Sequence, residues 1–140
     1  MAFVVYKSSA GSGKTATLVL EYLKLCLNNP NDFKRTLAIT FTNKAANEMK
    51  SRIIDTLLLI TENDNNFITE KLKTHLKLDE EEFLKRASQL LNLITHNYDE
   101  FYVSTIDSFV HKIIRTFTNE LHLPTNFEII LDKDYIVPEI

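Results

Sequence analysis

The chain has 140 residues, of which 44% are hydrophobic and 25% are charged, and its formal net charge is −3. This composition is ordinary for one folded domain or part of one. It excludes a disordered chain and gives no sign of nucleic-acid binding, although a local basic patch is compatible with it. The single Cys26 excludes an internal disulfide and no apolar run could span a membrane, so we expect a cytoplasmic protein with this thiol buried.

The first elements are a strand and a helix joined by a glycine-containing turn. Residues 2–6 predict a buried strand, and residues 14–28 predict a helix that is apolar nearly all round and therefore well covered. The turn between them is close to a phosphate-binding P-loop, in which backbone N–H groups and a helix N-terminus converge on an anion. The predicted nucleotide-binding residues are Ser9, Ala10, Gly11, Ser12, Gly13, Lys14 and Thr15.

Two of these residues carry the predicted chemistry. Lys14 is expected to reach the β- and γ-phosphates of ATP, and the Thr15 hydroxyl is expected to ligate Mg²⁺. Ser8 departs from the usual first residue of the motif, which is Gly or Ala. The alternative is a Ser/Gly loop that precedes Lys-Thr by coincidence.

A second strand follows the turn at residues 28–32. Residues 36–41 predict a buried strand, and strand, helix, strand at this spacing indicates a βαβ unit with a parallel sheet. Ligands bind at the carboxyl ends of such strands, where this chain places Thr40, Phe41, Thr42 and Asn43. Hydroxyl and amide groups can bond phosphate or sugar, and Phe41 offers a face for base stacking. The alternative is that Thr42 or Asn43 only caps the next helix, and the chemistry alone leaves both open.

The remaining pattern is mostly helical. Helices are predicted at 44–60, 67–76 and 80–97, the last with a capping box formed by Asp79 and Glu82. A strand at 101–104, a helix from Ile106 to Leu121 and a strand at 127–131 follow. Basic residues between 61 and 100 could face DNA, but a solvated helical face is the favoured interpretation. They are Lys71, Lys73, His75, Lys77, Lys85 and Arg86. The predicted fold class is α/β.

Three stretches in order resemble motifs of the UvrD/Rep family of superfamily-one DNA helicases. Residues 9–15 resemble its motif I, and residues 38–53 resemble its motif Ia, with the run TFTNKAANEMKSRI. Residues 103–109 resemble motif Ib, but Asp107 stands where most members have His. The Thr-Ile-Asp-Ser-Phe form and the Ser-Ala-Gly-Ser-Gly-Lys-Thr loop are similar to the RecB/AddA-like branch, whose members unwind DNA ends during double-strand-break repair.

The resemblance implies a partial RecA-like P-loop NTPase domain that uses ATP and Mg²⁺. It implies single-stranded DNA contacts by Thr40, Phe41, Thr42 and Asn43, and a second contact by Thr105 and Ser108. Asp107 is expected to cap or orient its helix, because a carboxylate repels phosphate. The expected organisation is residues 1–60 and 101–140 as parts of domain 1A, with 61–100 as a helical insertion.

The family's Asp-Glu pair for water activation and its second RecA-like domain have no counterpart in the sequence. We therefore expect the N-terminal part of a larger helicase, inactive alone. Its expected partners are duplex-end DNA, the remainder of that helicase and a nuclease subunit. The alternatives are a stand-alone nucleotide-binding regulatory module and a small P-loop kinase, for which no lid or acceptor site is found.

Overall fold

A computed structural model describes residues 13–64 and 66–117. The strands predicted at 2–6 and 127–131 lie outside these residues. The helices are α1 (Lys14–Asn28), α2 (Asn43–Thr61), α3 (Phe67–Leu76), α4 (Glu80–His96) and α5 (Ile106–Thr116), with short 3₁₀ helices at Pro30–Arg35 and Tyr98–Glu100. The strands are β1 (Ala38–Thr40) and β2 (Val103–Thr105).

The described residues are mostly helical and include a small parallel sheet. β1 pairs with β2 so that Ala38 lies opposite Val103 and Thr40 lies opposite Thr105. α2, α3 and α4 all lie between the two strands in sequence, as a parallel pair requires a long crossover. Strand pairing and helix positions are consistent with part of a P-loop helicase domain, and the larger RecA-like sheet stays a prediction.

Side-chain caps determine where the helices begin. Asn66 caps α3 by accepting hydrogen bonds from the Ile68 and Thr69 amides. Asp79 caps α4 by accepting from the Glu82 amide at 2.8 Å, as predicted for the first half of the capping box. α5 ends at Thr116, and residues 118–121 of its predicted extension lie outside the described part of the chain.

Two expectations for the first part of the chain were wrong. The turn predicted at residues 28–32 is instead the start of a six-residue 3₁₀ helix, because the Asn29 side chain accepts from the Asn31 amide and Pro30 favours a helical first position. Helix α1 is not covered all round: Leu18 is 48% exposed and Leu25 is 58% exposed. Apolar composition shows which side chains could be buried, but the neighbouring elements determine which ones are.

Buried apolar side chains of α1, α2, α3, α4 and β2 form one cluster within the described residues. Its largest fully buried members include Phe33, Phe83, Leu23, Leu57 and Ile94. Burying a side chain of this size stabilises the fold by roughly 1.5–3 kcal/mol. α2 packs against both α4 and β2, so the helical core fixes the position of the sheet and of its carboxyl edge.

Candidate functional site

The two strands end at one edge of the sheet, and each leads into a helix. β1 ends at Thr40 and α2 begins at Asn43, while β2 ends at Thr105 and α5 begins at the next residue. Because the strands are parallel and Thr40 lies opposite Thr105, the N-termini of both helices lie at this edge. Each helix N-terminus carries about half a positive charge and amides without an intrahelical partner. The edge is therefore suited to anionic groups.

Phe41 is the most exposed large hydrophobic residue in the described chain, with 89% of its surface accessible. It directly follows β1, whereas the sequence predicted it as the last residue of a buried strand, and packing within the described residues does not account for an aromatic ring at this position. Its backbone is held by its neighbour, because the Thr40 hydroxyl donates to the Thr42 carbonyl at 3.1 Å and to the Ser104 carbonyl at 3.4 Å.

Thr42 caps α2, as the alternative interpretation of this stretch supposed. Its hydroxyl oxygen accepts a hydrogen bond from the Ala45 amide at 3.1 Å. The cap uses an oxygen lone pair and leaves the hydroxyl hydrogen available to an acceptor. Thr42 and Asn43 are both exposed, so the cap and a ligand contact are compatible at this position. The geometry does not test whether Thr42 or Asn43 contacts DNA, and both contacts stay predictions.

Thr105 and Ser108 form a similar turn at the start of α5. The Thr105 hydroxyl accepts from the Ser108 amide at 3.2 Å and donates to the Ser108 hydroxyl at 2.9 Å, and Thr105 is only 6% exposed. Ser108 is exposed, so its hydroxyl hydrogen is the group that this turn presents at the surface. The expectation that Asp107 caps the helix was wrong, because Thr105 provides the cap. Asp107 lies in the first turn, where its carboxylate interacts favourably with the helix dipole.

Of the predicted P-loop, the structure describes Gly13, Lys14 and Thr15, and residues 9–12 lie outside the described part. Gly13 has φ 80° and ψ 21°, a left-handed conformation that glycine adopts without strain. α1 begins at Lys14 with no side-chain cap and no acidic residue in its first turn. Lys14 is exposed and Thr15 is partly buried.

The charges at the helix starts distinguish α1 and α2 from α3, α4 and α5. α3 carries Glu70 in its first turn, α4 carries three glutamates there, and α5 carries Asp107. α1 and α2 have no carboxylate in this position. An acidic residue would occupy the amides and repel phosphate, so α1 and α2 are the helices whose N-termini suit an anionic ligand.

Several basic residues between 61 and 100 form ion pairs or hydrogen bonds within the fold. Lys73 bonds Glu80 at 2.7 Å, and Arg86 bonds Glu82 at 2.7 Å and the Asn28 carbonyl at 2.7 Å. These contacts favour a structural role for Lys73 and Arg86 over DNA binding.

The bonds from Thr40 to Ser104 and from Thr105 to Ser108 were missed at the level of sequence. No sequence pattern predicts these hydrogen-bond partners directly. The one indication in the sequence is that a threonine ends each strand, shortly before a helix.

Away from this edge, Cys26 is buried in the core, as predicted. Burial raises the pKa of its thiol to about 11, even though the neighbouring Thr36 and Tyr22 hydroxyls act in the opposite direction. A thiol of this kind stays protonated and unreactive at neutral pH.

Comparison of the sequence with known proteins identifies the family that it matches. The sequence profile of the UvrD/REP helicase N-terminal domain matches residues 3–138. ATP-dependent helicase/nuclease subunits of the AddA type from Bacillus cytotoxicus, Lactobacillus gasseri and Clostridium novyi are each 35% identical to this chain. The alignments cover 90%, 93% and 90% of the chain but 9% of each relative. No solved structure matches. None of the described helices has both the length and the hydropathy that crossing a membrane would require.

Proposed function

The chain belongs to the UvrD/REP helicase N-terminal domain family, and we propose that it contributes the ATP-binding wall and a DNA-binding edge of an ATP-dependent DNA helicase. The helicase/nuclease relatives support this proposal and its RecB/AddA-like placement. The chain spans 9% of their length, and we propose that the second RecA-like domain and the water-activating carboxylates belong to the remainder of such a protein. In this proposal residues 1–60 and 101–140 form part of the RecA-like domain, and residues 61–100 are an insertion.

The observation that carries the DNA contact is the exposed ring of Phe41 beside two helix N-termini at one sheet edge. A single strand offers regularly spaced phosphates and unpaired bases, so one molecule can satisfy both features. Phosphates would lie near the start of α2, where Thr42 and Asn43 present polar groups, and Ser108 would donate its hydroxyl hydrogen to the same strand. A base would stack on Phe41. Opening and closing of the ATP cleft in the whole helicase would then move this edge along the strand and unwind duplex DNA.

The start of α1 is the proposed ATP site. The chain's residues fit a phosphate group there, because the helix has no side-chain cap and no carboxylate in its first turn. Lys14 would neutralise the β- and γ-phosphates, and the Thr15 hydroxyl would bind Mg²⁺. The metal would supply charge neutralisation at the transferred phosphate.

Nucleotide binding tests this half of the proposal. We expect the 140-residue chain to bind Mg-ATP weakly, to show no turnover above buffer, and to lose binding with Lys14→Ala but not with Lys71→Ala. Lys71 is an exposed lysine on α3 that lies over the Phe67 ring. Isothermal titration calorimetry measures the binding of Mg-ATP, and a phosphate-release assay measures the turnover. Robust turnover by this chain, abolished by Lys14→Ala, would contradict the proposed division of the active site.

DNA binding tests the other half. We propose NMR titration of the chain with a short oligo-dT strand, comparing Phe41→Ala with Phe67→Ala, which removes a ring that is 71% exposed on α3. Stacking contributes about 1–3 kcal/mol per base, so Phe41→Ala should weaken binding about 5- to 150-fold. Phe67→Ala should leave the affinity unchanged. Equal affinity of Phe41→Ala and the unchanged chain would refute the proposed edge.

The names of the relatives support a proposal about the DNA substrate and the biological role. Unwinding and cleavage of DNA are combined in a helicase/nuclease, so we propose duplex DNA ends as the substrate and repair of double-strand breaks as the role. The proposed partners are the rest of the helicase and a nuclease domain or subunit.

A further inference from the structure

Thr40 connects the two stretches that we propose to contact DNA. It is the last residue of β1, it is partly buried, and its hydroxyl donates to the Thr42 carbonyl at 3.1 Å and to the Ser104 carbonyl at 3.4 Å. Ser104 is 64 residues away in sequence and belongs to β2. The second bond therefore joins the stretch before α2 to the stretch before α5.

A hydroxyl has one hydrogen, and in this structure both of its acceptors are backbone carbonyls of the protein. The hydrogen is therefore shared between two carbonyls of the protein and is not available to a ligand at the edge. Resemblance to motif Ia placed Thr40 among DNA-contacting residues, but its neighbours Phe41 and Thr42 are the exposed members of that stretch.

We propose that Thr40 is a positioning residue, which fixes the Phe41 ring relative to the Ser108 turn without touching DNA. This inference rests on the proposed DNA contact and adds to it. Phe41 is 89% exposed and has little packing of its own, so the backbone of residues 40–42 determines where the ring lies. Without the two hydrogen bonds, DNA would have to order this backbone on binding, which lowers affinity.

The test compares two substitutions at one position. Thr40→Val has nearly the same shape and a high strand propensity but removes both hydrogen bonds, whereas Thr40→Ser keeps the hydroxyl. In the oligo-dT titration, Thr40→Val should bind about 3- to 10-fold more weakly, and Thr40→Ser should bind like the unchanged chain.

Thr56→Val is the matched control. Thr56 is 6% exposed in the fourth turn of α2, and its hydroxyl donates to the Arg52 carbonyl at 2.6 Å. Thr56→Val therefore loses a side-chain to backbone bond far from the edge. It should lower thermal stability at least as much as Thr40→Val and leave DNA affinity unchanged. This comparison separates positioning from a general loss of stability.

A double-mutant cycle with Phe41→Ala distinguishes positioning from direct contact. If Thr40 acts through Phe41, adding Thr40→Val to Phe41→Ala should cause little further loss of affinity. Independent, multiplying losses would show that Thr40 contacts DNA itself and would overturn the inference. Unchanged binding by Thr40→Val would overturn it as well.

The carbonyl ¹³C shifts of Thr42 and Ser104 in the DNA-free chain provide a readout that does not depend on DNA binding. Thr40→Val should move both shifts, and Thr40→Ser should not. If Phe41→Ala leaves DNA affinity intact, the proposed function fails and the inference fails with it. If Phe41→Ala weakens binding but Thr40→Val changes neither affinity nor the Ser104 shift, only the inference fails.

Discussion

Replacing Thr42 with aspartate separates capping of α2 from binding of phosphate. Thr42 accepts from the Ala45 amide at 3.1 Å, and an aspartate carboxylate accepts the same bond. Aspartate is at least as good an N-cap as threonine, and its charge interacts favourably with the helix dipole by about 0.3–1 kcal/mol. α2 has no acidic residue in its first turn, so no existing carboxylate opposes the change. The free energy of unfolding should therefore be unchanged or slightly raised.

The same substitution should weaken DNA binding. A carboxylate about 4 Å from a phosphate is repelled by about 1 kcal/mol in bulk water and by about 4 kcal/mol at the effective dielectric constant near a protein surface. Thr42 is exposed, so we expect a loss toward the lower value, about 1–2 kcal/mol. This corresponds to roughly 5- to 30-fold weaker binding of oligo-dT.

Asn66→Asp is the control for added charge. Asn66 occupies the N-cap of α3, where its side chain accepts from the Ile68 amide at 2.9 Å and from the Thr69 amide at 3.0 Å. The substitution adds one negative charge at a helix cap outside the proposed edge. Fluorescence anisotropy with labelled oligo-dT measures affinity, and thermal unfolding measures stability. The loss caused by Thr42→Asp should shrink as salt rises, because screening acts over about 10 Å at about 0.1 M.

Two results would refute this reasoning. If Thr42→Asp is folded and binds oligo-dT as the unchanged chain does, Thr42 is a cap and nothing more. If Asn66→Asp weakens binding equally, the effect comes from net charge and does not locate the contact.

Three further predictions concern stability. Gly13→Ala should lower the free energy of unfolding by about 1 kcal/mol in urea titration, because φ is 80° while an added Cβ would meet no atom within 4 Å; unchanged stability would contradict the left-handed geometry. Leu23→Ala should cost about 2–5 kcal/mol since Leu23 is 0% exposed, and Leu25→Ala should stay within about 0.5 kcal/mol since Leu25 is 58% exposed; similar costs in urea would argue against this orientation of α1. Burial raises the Cys26 pKa from 9.0 to about 11, so the unfolded chain releases this proton first and stability should fall between about pH 9 and pH 11. Cys26→Ala should remove the contribution of this thiol to the loss of stability, which is up to about 3 kcal/mol. Identical dependence of stability on pH in the variant and the unchanged chain would contradict the raised pKa of Cys26.

Local signals in the sequence predicted the helices well. Asp79 and Glu82 correctly marked the start of α4, and the helices predicted at 44–60 and 67–76 correspond to α2 and α3. These features act within one turn of a helix, so the sequence is enough to show them. The turn predicted at residues 28–32 continues as a 3₁₀ helix to Arg35: Asn29 and Pro30 start it, but its length was not predicted, because the buried Phe33 stabilises a longer segment and burial depends on distant residues.

The candidate edge was partly predictable for the same reason. Local pattern placed Phe41 and Thr42 at the carboxyl end of a strand, and the structure places both after β1, which ends one residue before the predicted strand end at Phe41. The alignment of Thr40 with Thr105 depends on pairing between strands that are far apart in sequence, which local pattern does not fix. The cap at Thr105 and the first-turn position of Asp107 likewise required the end of β2 to be known to the residue.

The long separation of the paired strands also affects folding. Thr40 and Ser104 are 64 residues apart, and three helices form between them with largely local contacts. Helices form in about a microsecond or less, whereas pairing distant strands must first overcome the entropy of closing a long loop. A refolding chain should therefore recover its helical circular dichroism before the two strand ends meet. The proposed DNA-binding edge would be among the last parts of the fold to assemble.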